Sequence, residues 1–298
     1  MWGEVALEMN MDEAVREEIL STVVRAHVRL LEYGKADGLL SLFDRWGYRA
    51  GPFLRGFLLR RQEKYREAIP YLRDAMVTRR LSRSAVQELA LCFQKLGMRT
   101  ELAHLVREHE HLVAKSASLL DFKIGLLLSE KRDQEAEKEI VRLRSLPDDE
   151  GRSTMRQAQL LFQRDNNPEE AEVLLSNLIQ HDVGDPVRAR RWRAMTAAAA
   201  KHPELARRDI EFIRARQGRQ GLADRLDIYF ALAQHDYVAA EKAAEKLGHS
   251  ASDELLRARL LEARAGDNQT PLADREVLRV RAAELRIGNR HFSEFDFD

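Results

Sequence analysis

PFLRGFLLRRQEKYREAIPYLRDAM, residues 52 to 76, reads as a helix-turn-helix. Leu59 closes a first helix, Tyr65 and Ala68 open a second, and Leu72 and Ala75 follow Ala68 at the i+4 and i+7 spacing of one helix face. A small residue at Ala68 is what two closely packed helices need where they meet. Stepping onward from Ala68 reaches Leu102, Ala136, Ala171, Ala206 and Ala240, at intervals of 34, 34, 35, 35 and 34 residues. Two companion columns stay in phase with these anchors. Nine residues before them stand Leu59, Phe93, Leu127, Phe162, Ala197 and Ala231; four after them stand Leu72, Val106, Ile140, Leu175, Ile210 and Ala244. Three apolar columns in register through six units make a repeat.

The punctuation follows the same register. Pro168 and Pro203 each fall three residues before an anchor, where a first-turn proline sacrifices no helical hydrogen bond, and Pro70 also lies early in its helix. Loops are expected where units hand over: SLPDDEG (145 to 151), HDVGDP (181 to 186) and RQGRQG (216 to 221). Ahead of the first clear unit, Asp12 can cap a helix running to Gly34, with ADGLLSLFDRWG as its shorter partner. A seventh first helix is expected at 253 to 266, and a helix of mixed character beyond Pro271, to about Ile287. The organisation expected is therefore an N-terminal helical cap or degenerate repeat over 1–48, a repeat array over 49–269, and a capping helix with an acidic-aromatic tail over 270–298.

In its 34-residue unit and its small residues at the helix crossing the chain resembles the tetratricopeptide repeat (TPR) family. KYREAIPYLRDA (64 to 75) and HDYVAAEKAAEKLG (235 to 248) carry the resemblance most fully. The family's early Trp or Leu and its turn glycine are mostly missing, although Gly97 fits. The resemblance implies an all-α, right-handed α-solenoid of six to seven TPR-like repeats with atypical terminal helices, and protein-protein interaction in general. The lysine-and-asparagine clamp of the chaperone-binding members has no match here.

Composition agrees with an all-α chain. Apolar residues make up 44% and charged residues 33%, with only 7 Pro and 15 Gly in 298 residues. Lys plus Arg equals Asp plus Glu, 49 against 49, so attraction to a polyanion has to come from local segregation of charge. No apolar run approaches the ~20 residues of a membrane span. The opening MWGEVALEMNMDEA lacks the basic-then-apolar plan of a signal peptide. A single cysteine, Cys92, excludes an internal disulfide and suits a reducing cytoplasm.

Within a helix-pair solenoid the first helices line the concave face. Fifteen residues before each anchor the column reads Phe53, Gln87, Asp121, Arg156, Arg191, Arg225 and, for the seventh unit, Arg259. Neighbouring positions add Arg60, Arg61, Lys95, Arg164 and Arg188, interleaved with Phe57, Met195 and Tyr229 among other apolar residues. The second helices carry acid, including Glu135, Glu137, Glu139, Glu172, Asp209 and Glu211. A net charge of zero then conceals a basic groove and an acidic back, and such a groove suits an extended peptide bearing carboxylates or phosphates. The alternative is structural: each arginine pairs with a neighbouring acid, Arg225 with Asp224 or Asp227 for example.

Catalytic chemistry is not written in the chain. There is no GxxxxGK, GxGxxG or GxSxG, and no acid-base or nucleophile constellation, so no enzyme, cofactor or metal is expected. His104, Glu108 and His111 share one helix face at i, i+4 and i+7, a spacing that could ligate a metal, but a solvated surface is the plainer reading. Cys92, between Leu91 and Phe93, reads as a buried thiol. In the tail HFSEFDFD, Phe292, Phe295 and Phe297 alternate with Glu294, Asp296 and Asp298; it could cap the last helices, stay disordered, or act as a ligand for a basic groove. The expected function is a cytoplasmic, non-catalytic scaffold or adaptor that holds an acidic or phosphorylated protein segment. The alternatives are a nucleic-acid-binding solenoid, for which the groove offers few stacking aromatics, and the sensor or scaffold arm of a larger protein. The sequence names neither client nor oligomeric state.

Overall fold

The structure, a computed structural model, describes residues 12–78, 82–216 and 218–288. The described residues are helical with no strand, and they fall into two compact units that divide between Ala114 and Lys115. The residues 1–11 of the opening segment and the tail residues 289–298 lie outside the described residues.

The first unit contains α1 (Glu13–Arg29), α2 (Tyr33–Trp46), α3 (Gly51–Arg61), α4 (Tyr65–Met76), α5 (Ser82–Lys95), α6 (Arg99–Glu108) and the single turn α7 (Glu110–Val113). The second contains α8 (Ala117–Ser129), α9 (Asp133–Arg144), α10 (Arg152–Gln163), α11 (Pro168–Gln180), α12 (Pro186–Ala199), α13 (Pro203–Arg214), α14 (Gln220–Ala233), α15 (Tyr237–Ala244), α16 (Ala251–Gly266) and α17 (Leu272–Gly288). Each even-numbered or odd-numbered partner packs on the helix before it, so both units are stacks of antiparallel helix pairs. The fold is the all-α, TPR-like helical repeat that the sequence period implies.

The three apolar columns have one local cause. Every second helix of the six units begins three residues before its anchor, and all six anchors are buried. Five residues before the anchors the backbone is left-handed, at Glu63, Gly97, Lys131, Asn166, Lys201 and His235, with φ between 48° and 66°. This residue ends the first helix, and the amide after it donates back into the last turn: Lys64 N–H to the Leu59 carbonyl at 2.9 Å, Met98 to Phe93 at 2.8 Å, Arg132 to Leu127 at 2.9 Å, His202 to Ala197 at 2.8 Å and Asp236 to Ala231 at 2.9 Å. In five of the six units the column nine before the anchor is thus the position whose carbonyl closes the helix; in the Ala171 unit Asn167 N–H reaches Leu161, one residue earlier, at 3.0 Å. Only Gly97 meets the left-handed requirement with glycine; elsewhere a side chain bears the strain.

The α1–α2 pair is built the same way. Leu31 is left-handed, Glu32 N–H reaches the His27 carbonyl at 2.9 Å, and Ala36 and Leu40 are buried at the anchor and i+4 positions. The α16–α17 pair departs from the pattern: α16 ends at Asp267 in an extended conformation, and Thr270 Oγ1 donates to the Arg264 carbonyl instead.

Within the second unit the first helices lie side by side, α8 on α10, α10 on α12, α12 on α14 and α14 on α16, while each second helix packs on the first helices flanking it. A first helix is therefore covered on several sides, which explains why α8 reads apolar almost throughout, with Leu119, Leu120, Ile124, Leu126, Leu127 and Leu128 all buried. The first two loops fall where expected, at 145–151 and 181–185, whereas the third ends sooner than expected because α14 already begins at Gln220. Two of their glycines interlock: a Cβ on Gly184 would meet the Glu150 carbonyl oxygen at 2.7 Å, and one on Gly151 would meet Leu178 at 2.7 Å.

Candidate functional site

The arginine column separates by its place along each helix. Arg60, Arg61 and Lys95 stand in the last turns of α3 and α5, and Arg164 caps α10, where any cation complements the carbonyl end of a helix. Arg156, Arg188, Arg191, Arg225 and Arg259 are set within α10, α12, α14 and α16. Helix-end electrostatics do not account for these five.

Three of them reach carboxylates on other first helices, and two lie against aromatic rings. Arg156 Nε donates to Asp121 Oδ1 at 2.6 Å, its Nη2 to the Asp121 carbonyl at 3.0 Å, and its Nη1 to Gln159 Oε1 at 2.8 Å. Arg188 Nη1 reaches the other Asp121 oxygen at 2.8 Å. One carboxylate on α8 thus holds guanidiniums from both α10 and α12. Gly125, one turn along α8, makes room for Arg156: a Cβ there would stand 2.9 Å from its Nη2. Burial pushes the Asp121 carboxyl up, but the two guanidiniums outweigh it and hold the group well below the usual carboxylate range.

Arg225 Nε donates to Asp253 Oδ1 at 2.7 Å, and Asp253 also closes the capping box of α16 with Ser250. Burial pushes Asp253 up, and Arg225 and Ser250 more than reverse the shift. Arg191 is 3% exposed, with its guanidinium carbon 5.2 Å from the Trp192 ring centroid. Arg259 lies 4.9 Å above the ring of Tyr229, which is itself buried, and Met195 is buried in the core.

Two expectations need correcting. Arg225 donates to Asp253, while Asp224 accepts from Gln220 at 3.0 Å and Asp227 from Arg214 at 2.6 Å. Neighbours at i−1 and i+2 point to other sides of a helix, so sequence adjacency is a poor guide to pairing. Nor do the acids of the second helices form an outward surface throughout. Asp209 is buried and bidentate with Arg193 at 2.7 Å through both oxygens, and Glu139 receives Lys123 at 2.8 Å.

In the first unit Arg60 pairs with Glu88 of α5 and lies 5.5 Å from the Phe57 centroid, while Phe57 stacks on the buried Phe53 at 6.2 Å. Burial raises the Glu88 carboxyl in spite of Arg60 and Arg61. Arg61 and Lys95 are exposed. Arg164 is held by Asp165 at 2.5 Å and Glu137 at 3.1 Å. Cys92 is fully buried, and that burial pushes its thiol up to about 12.

The histidine face does not form as drawn. His104 and Glu108 meet at 3.0 Å, but α6 ends at Glu108, so His111 falls on the separate turn α7 and packs near His109. Among the described residues no three His, Cys, Asp or Glu side chains converge as metal ligands, and no helix is long and apolar enough to cross a membrane.

The partners the sequence reading missed are Asp121, Gln159 and Asp253. One signal was available: Asp121 occupies the arginine column itself, 35 residues before Arg156, so opposite charges stand at equivalent positions of adjacent repeats.

No family model and no curated protein matches the chain. Among solved structures it is similar to a tetratricopeptide repeat protein from Parabacteroides merdae ATCC 43184, with a TM-score of 0.56 and 17% identity over 90% of this chain and 98% of that one. It is also similar to the pilF protein of Pseudomonas aeruginosa, at a TM-score of 0.47 and 18% identity over 68% of this chain and 91% of that one. The first likeness shows the TPR-like fold, and at such identity the fold alone.

Proposed function

We propose that the chain is a non-catalytic, cytoplasmic scaffold whose second unit holds an acidic or phosphorylated protein segment along its first-helix face. The TPR-like fold supports protein partners in general. The observation that favours an anionic segment is the recurrence of guanidiniums on successive first helices: Arg156, Arg188, Arg191, Arg225 and Arg259 stand on α10, α12, α14 and α16.

The column divides its labour. Arg156 and Arg191 are buried, whereas Arg188, Arg225 and Arg259 keep partial exposure at its edge. Guanidiniums already fixed by Asp121 and Asp253 lose little further freedom when an anion arrives, which favours binding. Of the groove aromatics Phe53, Phe57 and Tyr229, Tyr229 is the one in the second unit, and it is buried beneath Arg259, which disfavours nucleic acid.

The test is affinity capture from native lysate with the wild-type chain and with Arg225→Glu/Arg259→Glu, both checked for helical content. Loss of a captured protein from the folded variant supports the reading. Equal capture by both forms removes this face as the binding site.

A further inference from the structure

A second cationic cluster lies between α12 and α13, apart from the Asp121 column. The guanidinium carbon of Arg190 is 3.9 Å from the Phe212 ring centroid and that of Arg216 is 4.3 Å from the same centroid. Both guanidiniums therefore contact the one ring, and those distances put the two carbons at most about 8 Å apart.

The cluster is short of acid. Asp209, 1% exposed, is taken by Arg193 through both oxygens at 2.7 Å, and Arg190 Nε stands 3.6 Å from it, beyond hydrogen-bonding distance. Asp182 acts on Arg190 only at longer range. Three guanidiniums therefore share one buried carboxylate. Burial and the neighbouring Arg193 and Arg216 disfavour the charge on Arg190, which an arriving anion would relieve.

The geometry selects the anion. With two guanidiniums already on Phe212, what the cluster presents is guanidinium edges, which suit carboxylates. Carboxylates on alternate residues of an extended chain recur at about 7 Å on one side, within the roughly 8 Å that the two guanidiniums can span. The chain carries such a pattern: Glu294, Asp296 and Asp298 alternate in SEFDFD.

We infer that Arg190 and Arg216, both set against Phe212, form a binding site for the chain's own acidic segment 293–298. The inference does not depend on the Arg225–Arg259 face. The probe is a fluorescent, amide-capped peptide of residues 289–298, so that side chains alone supply its negative charge. The host is the full chain carrying Glu294→Gln, Asp296→Asn and Asp298→Asn, which leaves the site without its own ligand. Anisotropy is expected to show binding that weakens about tenfold with Arg216→Ala, an exposed residue whose loss spares the fold, and disappears with Arg190→Ala/Arg216→Ala. Arg225→Glu/Arg259→Glu in the same host should leave peptide binding unchanged, so the two sites fail or succeed separately. The inference is overturned if the peptide does not bind at about 1 mM, if its charge-neutralised version binds as well, or if Arg216→Ala binds it as tightly as the host.

Discussion

Asp121 in the second unit and Glu88 in the first occupy similar settings with opposite results. Both are carboxylates shielded between neighbouring first helices, and both face arginine. Glu88 has one guanidinium in contact, and burial wins: its carboxyl is raised. Asp121 has two, from α10 and α12, plus the space opened by Gly125, and its carboxyl is depressed. At these two sites the second guanidinium tips the balance; Asp253, with one guanidinium and the Ser250 hydroxyl, is depressed as well, so what decides is whether the polar partners together offset the cost of leaving water.

The largest effect should follow from Asp121→Asn. It leaves the guanidiniums of Arg156 and Arg188 without their shared anion and is expected to cost about 3–5 kcal/mol in urea unfolding at pH 7. The pH dependence carries the sign. A depressed carboxyl contributes stability above the ordinary Asp value of 3.8 and loses it as the pH falls through the lower folded value. Wild type should therefore exceed Asp121→Asn most at neutral pH, with the gap closing in acid.

Glu88→Gln should do much less, within about 1 kcal/mol at pH 7, since the amide keeps an acceptor for Arg60 and removes a buried charge. Here the sign reverses. A raised carboxyl makes the fold lose stability as the pH rises from its ordinary value of 4.5 toward the folded value. Glu88→Gln should gain on wild type between pH 4 and 7; a trend parallel to that of Asp121→Asn would erase the distinction between the two sites.

The smallest effect belongs to the turns, which both units share. Lys201→Gly places glycine at a backbone with φ of 63° and should stabilise by about 0.5 kcal/mol, relief of strain exceeding the entropy glycine adds to the unfolded chain. A loss of stability there would mean that the Lys201 side chain contributes more than its strained backbone costs.

The repeat was legible in the sequence because its cause is local. Ala68 and Ala206 are small where helices meet, and Leu59 and Ala197 close a helix a fixed distance earlier, so the pattern survives even where Lys or His replaces the turn glycine. The site was legible only as a column. Arg188 and Asp121 are 67 residues apart and meet because α8, α10 and α12 stack, which no helix-face spacing reveals. Arg225 shows the same limit, with its partner on α16 rather than on its own helix.

The most direct test of the central claim, that the second unit's arginine face and not the first unit's helix-end cations binds an anionic segment, sets two charge reversals side by side. Arg225→Glu/Arg259→Glu and Arg61→Glu/Lys95→Glu would each be used in affinity capture against wild type, with folding verified. Loss of the captured protein from the first variant and retention by the second is the expected result. Retention by the first variant, or loss from the second alone, would contradict it.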